Sequence, residues 1–314
     1  MPSRSKWQSL PTEQINPATL AIDKLSPADI VEGMLNEDRK MLAAVQREKE
    51  RIAVGVEIIT QALRKSGRII FVGAGTSGRL GVLESAEMPP TFGTSPDLVQ
   101  AIMAGGKGAI LKAREGVEDN YEEGMRSVNR LRPTKKDVVI GVSASGMTQF
   151  VRGALTRARR AGSKIIFVTC DPRTELQTFV DLTIAPAVGP EVIAGSTRLK
   201  AGTATKIVLN MLTTAAMIRI GKTYGNLMVD VQMGSEKLKD RARRIISIVT
   251  GLDYDESDAL LRKAHWNVKA AIVMQRGHLT HTQALSRLRR AHDFVRDAIG
   301  EDVEARLKEL LKVG

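Results

Sequence analysis

A single cysteine, Cys170, stands in this chain of 314 residues, so no internal disulfide can form. It ends the run KIIFVTC, which reads as a buried strand, and a thiol there is inert packing material. A reducing compartment fits. Aromatic residues are also scarce, with six Phe, three Tyr and two Trp, which leaves little on which nucleic-acid bases could stack. No apolar run approaches the ~18 residues that cross a bilayer. The opening MPSRSKWQSLPTEQ lacks the apolar core of a secretory signal. The expectation is a soluble cytoplasmic protein with no membrane partner. No unit of ~20–50 residues repeats and no low-complexity tract intervenes, which excludes a solenoid and a disordered chain. The four histidines, His265, His278, His281 and His292, all fall near the C-terminus. None has the carboxylate or Cys neighbours of a metal set, so no metal site is expected.

What the chain has in excess is positive charge. Its 47 Lys and Arg against 35 Asp and Glu leave a net +12. Counterion release rewards such a surface on nucleic acid. The basic residues, however, are scattered through helix-like stretches such as RARRII and LSRLRR. A solvated basic surface is expected, and no nucleic-acid partner. The same field attracts an anionic sugar phosphate.

The length and the 43% hydrophobic content support one large α/β core and a smaller appendage. Residues 1–36 read as a Pro-punctuated N-terminal arm, with one amphipathic piece, SPADIVEGML, opened by Ser26 as a helix cap. From Asn36 to Lys65 the pattern is continuously helical, with Met41, Val45, Ile52, Val56, Ile59 and Leu63 on one face and Gly67 as the stop. Five β-rich runs follow, RIIFVGAG, LVQAIMAGG, DVVIGVSASG, KIIFVTCDP and LTIAPAVG, mostly separated by helical text. Helices between strands mean crossovers, so the fold class is α/β with a doubly wound, mainly parallel sheet. In such sheets ligands sit beyond the carboxyl ends of the strands. A long helix lies in TRLKAGTATKIVLNMLTTAAMIRIGK. The sheet domain is expected over 37–234 and an all-helical C-terminal domain over 235–314.

Two strand-to-helix turns carry the chemistry. The first is Gly73-Ala74-Gly75-Thr76-Ser77-Gly78-Arg79, where glycines allow a tight turn and the new helix offers unpaired N–H groups to an anion. The spacing of Gly73, Gly75 and Gly78 also satisfies the dinucleotide fingerprint. LVQAIMAGG, however, supplies no acidic ribose contact, which favours a phosphate cradle. A purely structural turn also remains open for this motif taken alone. The second turn is Ser143-Ala144-Ser145-Gly146-Met147-Thr148, whose three hydroxyls could close on the same phosphate. No Lys of the ATP-binding type follows either turn.

The S-x-S-G-x-T pattern after a D-V-V strand resembles the phosphate loop of the sugar isomerase (SIS) family. The segments TEQINPAT, LNEDRK, GAGTSGRLGVLESAEMPPTFG, AREGVEDN, GSTRLKAGTATKIVLNML and YGNLMVDV together resemble the N-acetylmuramic acid 6-phosphate etherases, over most of residues 12–240. That resemblance implies a phosphosugar substrate, loss of D-lactate from C3 by elimination and hydration, no cofactor, and a homodimer. Related glucokinase regulatory proteins, which bind phosphosugars without turnover, carry two such domains, and this length accommodates one. A phosphosugar isomerase and, last, a dinucleotide-dependent oxidoreductase complete the alternatives.

By the same resemblance Glu87 in LESAEMPP and Glu118 in AREGVEDN are the acid/base pair, with Glu84 and Glu115 three residues upstream as alternates. Without it, each reads as a surface carboxylate. Arg198 and Lys200 are candidates for the substrate's anionic groups, with Ser196, Thr197 and Thr203 as hydroxyl donors. The chain departs from the etherase pattern at Met147, where Arg is usual, and at Gln149, where Pro is usual. One geometric difficulty stands. A helix unbroken from Gly78 would put Glu87 ~14 Å along its axis. Either the helix ends before Pro89-Pro90, or the sugar extends differently, or the site is shared across a dimer. Finally, GLDYDESDALLRKAHWNVKAAIVM resembles a small ubiquitin-associated-like module, with Leu261 and Trp266 as its core.

Overall fold

The computed structural model describes Trp7 and residues 9–313. The helical text before the first strand forms two helices where one was expected. Helix α1 (Pro27–Arg47) starts well inside the expected arm. Ser26 accepts the amide of Asp29, and Pro27 occupies the first turn, where its missing N–H costs nothing. It ends at Glu48, and α2 (Lys49–Arg64) follows at once. The Glu48 carboxylate accepts the amide of Ala185 at 3.0 Å, so the junction serves a long-range bond. Ahead of α1 the chain makes short 3-10 turns that dock through Asn16 and Thr19 on the carbonyls of Pro190 and Val192.

Strands and helices then alternate: β1 (Ile69–Gly73), α3 (Gly75–Phe92), β2 (Val99–Met103), α4 (Gly108–Leu111), α5 (Tyr121–Arg130), β3 (Val138–Val142), α6 (Gln149–Arg160), β4 (Lys164–Val168), β5 (Leu182–Ile184) and α7 (Lys200–Arg219). All five strands are parallel, in the order β2-β1-β3-β4-β5. β1 and β3 are buried throughout, which is why they read as unbroken apolar runs. Ile70, Val72, Val139 and Phe167 form a core on one face with Phe150 and Leu155 of α6. On the other face Gly81 of α3 lies against Phe71, and Gly55 of α2 lies against Leu182, Ile184 and Leu212.

Contacts divide the chain into two units. The first holds the residues up to Ala86 together with Asp97–Thr214. The second holds Glu87–Pro96 and everything from Ala215 onward. The second contains a two-residue pair of strands, β6 (Thr223–Tyr224) and β7 (Leu227–Met228), and helices α8 (Glu236–Thr250), α9 (Tyr254–Lys263), α10 (Val268–Gly277), α11 (His281–Arg290), α12 (Val295–Ile299) and α13 (Glu304–Val313). Reciprocal capping boxes open α9 at Asp253/Glu256 and α11 at Thr280/Gln283. Leu261, Ile246, Ile272 and Val273 make its core, with Trp266 packed against it and the guanidinium of Arg243 5.3 Å from the indole centre. No helix among the described residues is long and apolar enough to cross a membrane.

Candidate functional site

The order β2-β1-β3 places the topological switch point between β1 and β3, where doubly wound sheets bind ligands. Gly73 and Val142, the last residues of these neighbouring strands, are in register. The two hydroxyl-bearing turns therefore leave the sheet at one level, about 4.8 Å apart.

Behind β1, the first bond of α3 runs from the Gly78 amide to the Ala74 carbonyl at 3.1 Å. The amides of Gly75, Thr76 and Ser77 lie ahead of it, available to an anion at the positive end of the helix. Gly78 is required for close approach. A Cβ there would lie 2.8 Å from both the Gly73 carbonyl oxygen and Met103 Cγ. Behind β3, the Gly146 amide donates to the Ser143 carbonyl at 3.1 Å, and the turn holds Gly146 at φ +74°. Ser143 and Thr148 share a hydroxyl–hydroxyl bond of 2.8 Å, and Ser145 Oγ accepts the Met147 amide at 3.3 Å. The Ala144 carbonyl is tied back by the amide of buried Cys170 and the hydroxyl of Thr169.

Both turns open into one cavity of about 720 Å³. Of the residues expected from sequence, Gly75, Thr76, Ser77 and Arg79 line it from the first turn. Ser143, Ser145 and Thr148 line it from the second, joined by Thr197 and Glu118. Gly78 and Gly146 shape the turns without lining the cavity. Arg79 is already engaged, its Nε and Nη2 donating to the carbonyls of Ile110 and Ala109 at 2.8 and 2.9 Å, so it pins α4 beside the opening. Six further positions on the wall, Glu13, Ala74, Asp119, Ala144, Met147 and Gly195, besides Trp7, were not among the site residues expected from sequence. The signal for Glu13 was the TEQINPAT segment, which carried resemblance but no stated role.

Five expected residues lie elsewhere. Ser196 and the exposed Arg198 and Thr203 do not line the cavity. Lys200 is 1% exposed and its ammonium meets Glu37, itself 4% exposed, at 2.6 Å. It is a structural cation and not a free one. Burial pushes the Glu37 carboxyl up, but bonds from Lys200, Lys40 and Asn16 outweigh it and hold the group at about 2. Beside it, Glu191 accepts the amides of Lys200 and Ala201 at 2.9 Å each, capping α7, while burial raises its pKa. Glu87 is exposed and is not among the lining residues. Helix α3 runs unbroken through Pro89 and Pro90 to Phe92, so the expected early end of the helix is not found. The alternate Glu84 is buried and accepts bonds from Asn210 and Thr213, and Glu115 is exposed beyond the wall.

The catalytic possibilities of such a cavity follow from its donors and acids. Amides and hydroxyls can hold an anion at one side, and carboxylates can move protons at another. The chain matches the family model described as glucokinase regulatory protein N-terminal SIS domain over residues 51–159. It matches the SIS domain model over residues 117–215. It is 49% identical to the N-acetylmuramic acid 6-phosphate etherase of Salinibacter ruber, across 94% of this chain and 95% of that protein. The etherase of that name from Clostridium acetobutylicum is 46% identical across 94% and 98%. N-acetylmuramic acid 6-phosphate etherase 2 of Vibrio cholerae is 45% identical across 94% and 96%. With identity at this level spread over nearly the whole length, the chain belongs to the N-acetylmuramic acid 6-phosphate etherase family.

Proposed function

We propose that this chain cleaves the D-lactyl ether of N-acetylmuramic acid 6-phosphate, giving N-acetylglucosamine 6-phosphate and D-lactate in the recycling of cell-wall amino sugars. The observation that carries the reading is the convergence of two hydroxyl turns and Glu118 on one cavity. The phosphate takes the amides of Gly75–Ser77 and the hydroxyls of Thr76, Ser77 and Ser145. The open-chain aldehyde acidifies the proton on C2, and Glu118 removes it. The electron pair forms the C2–C3 double bond as the C3–O bond breaks and lactate leaves with a proton. Water then adds its oxygen to C3 and a proton returns to C2. The atoms balance without metal or redox chemistry. Glu87 is the second acid, protonating the departing lactate oxygen. A homodimer is the assembly that the family resemblance implies. The compartment is the cytoplasm, and the sheet and helical parts form the SIS domain (37–234) and the C-terminal domain (235–314), behind an arm (1–36).

The test is incubation with N-acetylmuramic acid 6-phosphate in the presence of a chelator, followed by a lactate assay. Lactate release is expected, falling by about 100-fold or more in Glu118→Gln, the usual scale for loss of an acid/base group. Aldose–ketose exchange without lactate would overturn the reading in favour of an isomerase.

A further inference from the structure

Glu13 lies on the segment before α1, 60 residues before the first turn in sequence, yet its side chain lines the same cavity. Neighbours on both sides hold it there. Thr12 is fully buried, and its carbonyl accepts the Gly195 amide at 3.1 Å. Asn16 Nδ2 donates to Glu37 at 2.9 Å and to the Pro190 carbonyl at 3.2 Å, and Thr19 donates to the Val192 carbonyl at 2.9 Å. The bare backbone of Gly195 makes room, since a Cβ there would stand 3.0 Å from Glu13 Oε2. Among the described residues nothing donates to this carboxylate, whereas Glu37, Glu84 and Glu191 all accept bonds.

Among the described residues the cavity wall carries one guanidinium, that of Arg79, and three carboxylates, those of Glu13, Glu118 and Asp119. A carboxylate only accepts hydrogen bonds and repels a phosphate placed beside it. Its complement in a phosphosugar is therefore a neutral donor on the sugar, and the bond is strengthened by the charge. We propose that Glu13 is a substrate-positioning and specificity residue. Its carboxylate accepts a sugar hydroxyl and fixes the ring relative to the anion cradle. The assignment rests on the phosphosugar reading above and adds the group that recognises the part of the ligand the two turns do not hold.

Binding without turnover tests it. Calorimetry with N-acetylglucosamine 6-phosphate and, separately, with inorganic phosphate would compare the wild type with Glu13→Gln and Glu13→Asp. Glu13→Gln should weaken the sugar phosphate about tenfold, the scale of one bond to a charged group. Inorganic phosphate should bind unchanged or slightly tighter, and the melting temperature should hold. Glu13→Asp, which keeps the charge on a shorter stem, should recover part of the loss. In turnover the same change should raise KM with kcat within about threefold. Unchanged sugar-phosphate affinity would overturn the assignment, as would a parallel loss of both ligands with a falling melting temperature. A chain that releases no lactate but loses sugar-phosphate affinity in Glu13→Gln keeps this role for Glu13 and loses only the proposed reaction.

Discussion

Around the cavity, Thr76, Ser77, Ser145 and Thr197 present half-exposed hydroxyls, and the groups proposed to hold the anion are small and neutral. At the start of α7, Lys200, Glu37 and Glu191 are formally charged, buried, and bonded to one another or to backbone amides. The contrast shows that formal charge in a sequence is a poor marker of a site. A buried ion must be paired or its desolvation is ruinous, so it is used up by structure. A hydroxyl or amide at a cavity rim is satisfied by water until a ligand replaces it.

The sharpest way to break the comparison is Lys200→Met. It should leave Glu37 buried with one cation fewer and cost about 3–5 kcal/mol of stability in urea unfolding. The phosphate affinity of the folded protein should stay within about twofold. A stable variant with lost phosphate binding would reverse the assignment of Lys200. Acid comes next. Glu37 is held at about 2, below the ordinary 4.5, so its contribution is fully present above about pH 4.5 and fades as pH falls toward 2. Glu191, raised by burial, opposes it, its share fading as pH rises through its own elevated range. Urea midpoints across pH 2–5 should therefore fall less steeply in Lys200→Met than in the wild type. On the cavity side, Ser145→Ala should weaken inorganic phosphate about five- to tenfold by calorimetry, the scale of one hydrogen bond. Its stability should change by less than about 0.5 kcal/mol. The smallest effect is expected of Met147→Arg. A cation added to the wall should tighten phosphate binding about threefold in dilute buffer and less in salt.

Much of the fold was legible because strands buried on both faces must be continuous in apolar residues, as IIFVG and VVIGV are. The two turns were legible for a related reason. Glycines and hydroxyls directly after such a run mark where the chain leaves the sheet and turns into a helix. The junction at Glu48 was not, since no Gly or Pro marks it and its partner is 137 positions away at Ala185. Lys200 misled because a sequence gives a charge and no direction. Glu13 was overlooked because its place depends on Thr12, Asn16 and Thr19 finding carbonyl and amide partners some 170–180 residues on. For Glu87, residue type and spacing describe a helix face, and the helix that carries it runs on to Phe92 where the paired prolines offered a stop.

Cys170 supports the second turn from behind, its amide on the Ala144 carbonyl, and burial pushes its thiol up to about 12. At neutral pH it is shielded and protonated, so an alkylating reagent should react only when the sheet opens. Because it is the sole sulfhydryl in the chain, its labelling rate is a built-in clock for that opening. A phosphosugar that steadies the neighbouring turn should make the clock run slower, without any engineered probe.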